Sequence, residues 1–86
     1  MKNPIKAWRE SRKLSGEKLA LLLGINYWTL CRIERGISCS VSPRLAGLLK
    51  ELGYPGDPRA DYQAWREEMI KGLREKVLVP EKEKGR

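Results

Sequence analysis

LSGEKLALLLGINYWTLCRIERG, residues 14–36, is the stretch whose reading decides the fold. Ser15 is a good N-cap, because a hydroxyl there accepts from the free N–H groups that open a helix. Leu19, Ala20, Leu22 and Leu23 then recur at helical spacing, and Gly24 can take the positive φ at which that helix stops. Asn26 caps a second helix, roughly Tyr27 to Arg35, with Leu30 and Ile33 as its inward stripe and Gly36 as its stop. The turn Leu23-Gly24-Ile25-Asn26 is short enough to hold the two helices at a steep angle. Such a pair cannot cover its own apolar side, so neighbouring helices have to close the core.

Those neighbours are legible on both flanks. Asn3-Pro4 reads as a cap followed by proline in the first helical turn, where the missing N–H costs nothing. Ile5 and Trp8 give that helix an apolar side, and it should end near Arg12 or Lys13. Ile37 to Val41 reads as a loop, after which Ser42-Pro43 repeats the cap-then-proline signature. Leu45, Leu48, Leu49 and Leu52 form the next core stripe, Gly53 ends it, and Tyr54-Pro55-Gly56 makes a bend. Asp57-Pro58 opens a fifth helix expected to run to about Leu78, before Pro80. On it Tyr62, Trp65, Met69, Leu73 and Val77 recur at steps of three and four. That stripe either packs on the preceding helices as an intramolecular lid or forms a dimer interface, and both can hold at once. The expected architecture is all-α, a compact bundle of five helices. Residues 1–54 carry the central pair, 57–79 the C-terminal helix, and 80–86 a charged tail expected to be disordered.

A chain of 86 residues allows one domain with a modest core. It holds no apolar run long enough for a membrane span and no charged-then-apolar leader, so a soluble, cytoplasmic protein is expected. Two cysteines, Cys31 and Cys39, without a histidine cannot make a four-ligand zinc site, and reduced thiols are expected. No metal or cofactor is implied. Nor is there a catalytic constellation: no histidine, no paired acid with a plausible pocket and no phosphate-cradling glycine loop. The net charge of +7 is unevenly placed. Residues 1–50 hold ten Lys/Arg against three acids, whereas residues 51–86 hold eight of each sign. A polyanion would therefore meet the first half. Surplus lysine kept only for solubility would not segregate in this way.

The central stretch resembles the helix-turn-helix of the Cro/cI and Xre family of phage and bacterial DNA-binding proteins. That family's pattern runs L-S-x-E-x-L-A-x-x-L-G-I-S-x-x-T-L-S-R-I-E-R-G. Leu14, Ser15, Glu17, Leu19, Ala20, Leu23, Gly24, Ile25, Thr29, Leu30, Arg32, Ile33, Glu34, Arg35 and Gly36 stand in register with it. The likeness extends from Ile5 to about Gly53. It implies a lambda-repressor-like bundle whose third helix enters the major groove of double-stranded DNA.

On this resemblance Tyr27, Trp28 and Arg32 match the positions that read bases, and Arg32 suits a bidentate contact to guanine. Trp28 is unusual there, and two readings stay open: contact with a sugar or thymine methyl, or burial against a neighbouring helix. Phosphates would be met by the N-terminus of the second helix at Gly16, Glu17 and Lys18, and by Thr29, Arg35, Ser40 and Arg44. Gly16 departs from the pattern, since the family usually has a glutamine whose amide contacts a phosphate. The resemblance also implies a structural ion pair between Arg9 and Glu34.

The expected function is a sequence-specific DNA-binding transcriptional regulator, most simply a repressor, acting as a homodimer on a pseudo-palindromic site. Two other readings stand beside it. The chain would be an antitoxin-type repressor if its C-terminal helix grips a toxin. It would be a protein-interaction module if the Tyr27-Trp28 edge docks on another protein.

Overall fold

Four short helices and one long one follow in chain order in the computed structural model, which describes the backbone of residues 2–84 and the side chains of residues 2–77. They are α1 (Pro4–Ser11), α2 (Gly16–Leu23), α3 (Tyr27–Arg35), α4 (Pro43–Glu51) and α5 (Pro58–Lys84). Each begins at a side-chain cap. The Asn3, Asn26 and Asp57 carboxamide or carboxylate oxygens accept from the N–H groups of Ile5, Trp28 and Arg59, and the Ser15 and Ser42 hydroxyls from those of Lys18 and Leu45. A cap of this kind stabilises a helix by ~1 kcal/mol. The stops are equally local for α2 and α3, where Gly24 and Gly36 adopt left-handed φ of 69° and 81°. α1 has no glycine to stop it, and Lys13 takes the left-handed conformation instead, at φ 57°.

The core draws on every helix: Ile5 and Trp8, Leu19 and Leu23, Leu30 and Ile33, Leu45 and Leu49, Tyr62 and Trp65 are all buried. Leu22 does not join them. It is 53% exposed, beside Leu21 at 81%. At 100° per residue Leu22 sits roughly 100° from the centre of the stripe made by Leu19, Ala20 and Leu23, too far round to reach the core.

Two joints tie α1 to α3. The buried Asn3 caps α1 through its oxygen, while its Nδ2 donates to the Ile33 carbonyl at 3.0 Å and to that of Glu34 at 3.2 Å. One side chain thus serves the start of α1 and the end of α3 together, and all its polar atoms are satisfied. The second joint is the contact of Arg9 with Glu34. Arg9 Nε lies 2.7 Å from Oε2 and Nη2 lies 3.2 Å from Oε1, the two-pronged geometry of a guanidinium on a carboxylate. Arg9 Nη1 also donates to the Leu14 carbonyl at 2.8 Å, which pins the α1–α2 turn.

α5 divides into two halves. Tyr62 and Trp65 are buried in the common core and Met69 packs against it, so this half covers the bundle as a lid. Leu73 and Val77 are 53% and 59% exposed and touch solvent rather than the core. A helix of 27 residues is about 40 Å long, so it overshoots a bundle only 22 Å across and stretches the molecule to 53 Å. The expected stop before Pro80 is not observed, because the backbone stays helical to Lys84. Proline in a helix interior costs ~3 kcal/mol through one lost hydrogen bond and a ring clash with the carbonyl four residues back. The helix here tolerates it, and the Glu and Lys that follow it are strong helix formers. The end of the expected tail, residues 85–86, lies outside the described residues. No helix among the described residues is long and apolar enough to cross a membrane.

Candidate nucleic-acid interface

α3 presents two unlike sides. Leu30 and Ile33 point into the core, and helical geometry then sends Trp28, Arg32 and Arg35 outward, where they are exposed, as is Thr29 on the flank. Trp28 is 71% exposed, which excludes the reading that buried it against a neighbouring helix. An indole left this open offers a flat apolar face to whatever α3 meets. Arg32 and Arg35 occupy the last turn, where the negative end of the helix dipole favours cations.

Tyr27 is less free than Trp28. It is 42% exposed and sets its ring edge-on to Trp28, with centroids 5.7 Å apart. Its other side lies over Gly16. A Cβ placed at Gly16 would stand 3.0 Å from Tyr27 Cε1, closer than ordinary contact. Gly16 is therefore matched to Tyr27: the missing side chain makes room for the ring. The Cys31 thiol, one turn further along, pushes the Tyr27 hydroxyl pKa upward, with smaller contributions from Glu17 and Glu34.

This arrangement alters the expected phosphate site at the start of α2. Gly16 is half-buried beneath Tyr27, the Lys18 N–H is taken by the Ser15 hydroxyl at 3.1 Å, and Glu17 brings an exposed carboxylate to the first turn. The Lys18 ammonium remains exposed. Thr29, Arg35, Ser40 and Arg44 are exposed as well, Ser40 in the α3–α4 loop and Arg44 in the first turn of α4. Arg9 and Glu34 face each other rather than solvent, with about 13% and 12% of their side chains exposed.

One cation escaped the sequence reading. Lys6 of α1 lines a shallow groove of about 230 Å³ together with Arg9, Tyr27, Cys31, Glu34 and Arg35. Its place beside α3 depends on how α1 crosses the bundle, which no local pattern encodes. Cys31 is half-buried and Cys39 exposed, and both are free thiols. Among the described residues no cluster of three or more histidine, cysteine or acidic side chains is placed to hold a metal ion.

The second apolar surface lies on α5. Trp65, Glu68, Met69, Gly72, Leu73 and Lys76 line an open groove of about 350 Å³, and a Cβ placed on Gly72 would point into open space. The Tyr62–Val77 stripe is thus split between the core and this uncovered face.

Comparison with known proteins agrees with the geometry. No curated protein and no solved structure matches the chain. A family model described as helix-turn-helix matches residues 5–57, more than half of the sequence, from the second residue of α1 to beyond the end of α4. The chain belongs to the Cro/cI-type helix-turn-helix family of DNA-binding regulators.

Proposed function

We propose that this protein is a sequence-specific regulator of transcription, most simply a repressor, that lays α3 in the major groove of double-stranded DNA. The observation that carries the reading is the outward side of α3. An open indole and an open guanidinium, Trp28 and Arg32, stand side by side on a helix whose other side is locked into the bundle. Arg32 suits the O6 and N7 acceptors of guanine, and Trp28 suits a thymine methyl or a sugar. Tyr27 holds the edge of Trp28 and completes the base-contacting group. Thr29, Arg35, Ser40 and Arg44, with the Lys18 ammonium, supply phosphate contacts that set orientation and most of the affinity. The protein would act in the cytoplasm, at the nucleoid, and the reading assigns it no catalysis.

We further propose that it acts as a homodimer on a pseudo-palindromic site. Two copies would place their recognition helices about 34 Å apart, one turn of DNA. The uncovered half of α5, with Leu73 and Val77, favours association of some kind, and a toxin-like protein partner is the second reading of the same face.

Selection of bound fragments from random DNA, followed by electrophoretic shifts at rising salt, tests the function. Recovery of an inverted repeat whose binding weakens with salt is the expected result. Failure to shift any fragment would overturn it and leave the Tyr27-Trp28 edge as a protein-docking surface. A 1:1 complex with a co-expressed neighbouring gene product, in place of a homodimer, would favour the second reading.

A further inference from the structure

α5 lies outside the residues that carry the family's pattern, yet three of its side chains reach the loop that follows the recognition helix. Arg66 Nε donates to the Gly36 carbonyl at 2.9 Å, the Tyr62 hydroxyl to that of Ser38 at 2.7 Å, and Arg59 Nε to that of Val41 at 3.1 Å. Residues 59, 62 and 66 are spaced by three and four, so one side of α5 delivers all three donors. The three acceptors bracket Ser40. The seat is tight at its near end, where a Cβ on Gly36 would stand 2.6 Å from Met69 Cε and 2.8 Å from Trp65 Cη2.

We propose that Arg59, Tyr62 and Arg66 are positioning residues for DNA binding, which hold the α3–α4 loop in the shape that presents Ser40 and the start of α4 to the phosphate backbone. The inference rests on the DNA-binding reading above. A loop without regular structure has no ladder of its own to orient its peptide groups, so side-chain donors from a neighbouring helix decide which way they face. In a trans peptide the N–H points opposite to the carbonyl, and no peptide bond here is cis. Turning the Ser38 and Val41 carbonyls toward α5 therefore turns the N–H groups of Cys39 and Ser42 away from it. Arg44, in the first turn of α4, inherits its place from the same loop. The long helix thus does more than cover the core: it shapes part of the surface that meets the ligand.

The test uses the full chain and a duplex site recovered by selection, with affinity measured at several salt concentrations and a melting temperature recorded for each variant. Tyr62→Phe keeps the buried ring and removes the hydroxyl, and Arg59→Met and Arg66→Met keep the apolar stems. The triple variant is expected to lose affinity by about tenfold, with a salt slope shallower by about one phosphate contact. A charge-matched control, Lys71→Met with Arg74→Met on the exposed half of α5, should lose much less. A triple variant that matches the control in affinity and slope overturns the proposal. Should the triple variant fail to fold, Tyr62→Phe alone decides, with affinity measured well below its melting temperature so that the variant is folded: loss of affinity supports the proposal, and unchanged affinity overturns it. A parent chain that selects no site would remove the DNA-binding reading first, whereas a parent that binds while its variants match the control removes this inference only.

Discussion

On the side of α3 that faces the bundle, Leu30 and Ile33 are buried, Glu34 is gripped by two donors of Arg9, and the last carbonyls accept from Asn3. On the side that faces outward, Trp28, Arg32 and Arg35 lie exposed, and Tyr27 and Trp28 meet edge-on. The contrast teaches how a nine-residue helix, too short to hold its shape alone in water, becomes a rigid platform. Its inner side is held by packing and by polar contacts from a distant part of the chain. The outer side is left unspent, so its chemistry is available to a ligand. The two sides should therefore fail in different assays.

The largest expected effect falls on the inner side. Arg9→Ala leaves the Glu34 carboxylate shielded and without its counter-charge, and should cost ~3–5 kcal/mol in urea unfolding. Exposure of about 12–13% puts the pair near the lower end of that range. Replacing both members by methionine should recover most of the loss, because no isolated charge then remains. A single Arg9→Ala variant of parental stability would dissolve the contrast between the two sides.

Arg32→Ala tests the outer side. It should weaken binding to the selected site by ~1–3 kcal/mol and relax the preference at one base pair. Stability should stay within ~0.5 kcal/mol, as for exposed positions in general. A large fall in melting temperature would mean that Arg32 belongs to the scaffold after all.

A pH titration probes the scaffold at the root of α5. Tyr54 donates to Asp61 Oδ2 at 2.8 Å, and burial first, then that hydrogen bond, raises its pKa well above the usual 10.0. A raised folded-state pKa means that the native state keeps its proton longer than the unfolded chain does. The resulting stability is full below pH ~10 and is lost as the pH climbs beyond it toward the folded-state value. Urea midpoints should thus fall above that pH, and Tyr54→Phe should flatten the decline.

The smallest effect is a gain. Lys13 stands at φ 57° where glycine would be unstrained, so Lys13→Gly should raise stability by up to ~1 kcal/mol. DNA affinity should not change, since the residue lies in the α1–α2 turn. A loss of stability in thermal melts would show that the turn is held by more than backbone preference.

The boundaries of α1 to α4 were readable from residues 1–54 because their signals are local. A cap oxygen, a proline in the first turn and a glycine that tolerates positive φ each act within four residues of the place they mark. The outward residues of α3 were readable for a similar reason: once Leu30 and Ile33 are assigned inward, helical periodicity sends Trp28 and Arg32 the other way. Periodicity does not say what stands opposite. It took the packed bundle to bare Trp28 and to lay Tyr27 over Gly16. Asn3 read as a cap and nothing more, because the carbonyls it also reaches lie thirty residues along the chain. α5 shows the limit most plainly. Its stripe runs unbroken from Tyr62 to Val77, but the bundle is narrower than the helix is long, so the same apolar pattern ends as core at one end and as open surface at the other. Short-range chemistry wrote the helices and their outward chemistry into the sequence, while the finite width of the core decided which apolar residues had anything left to cover them.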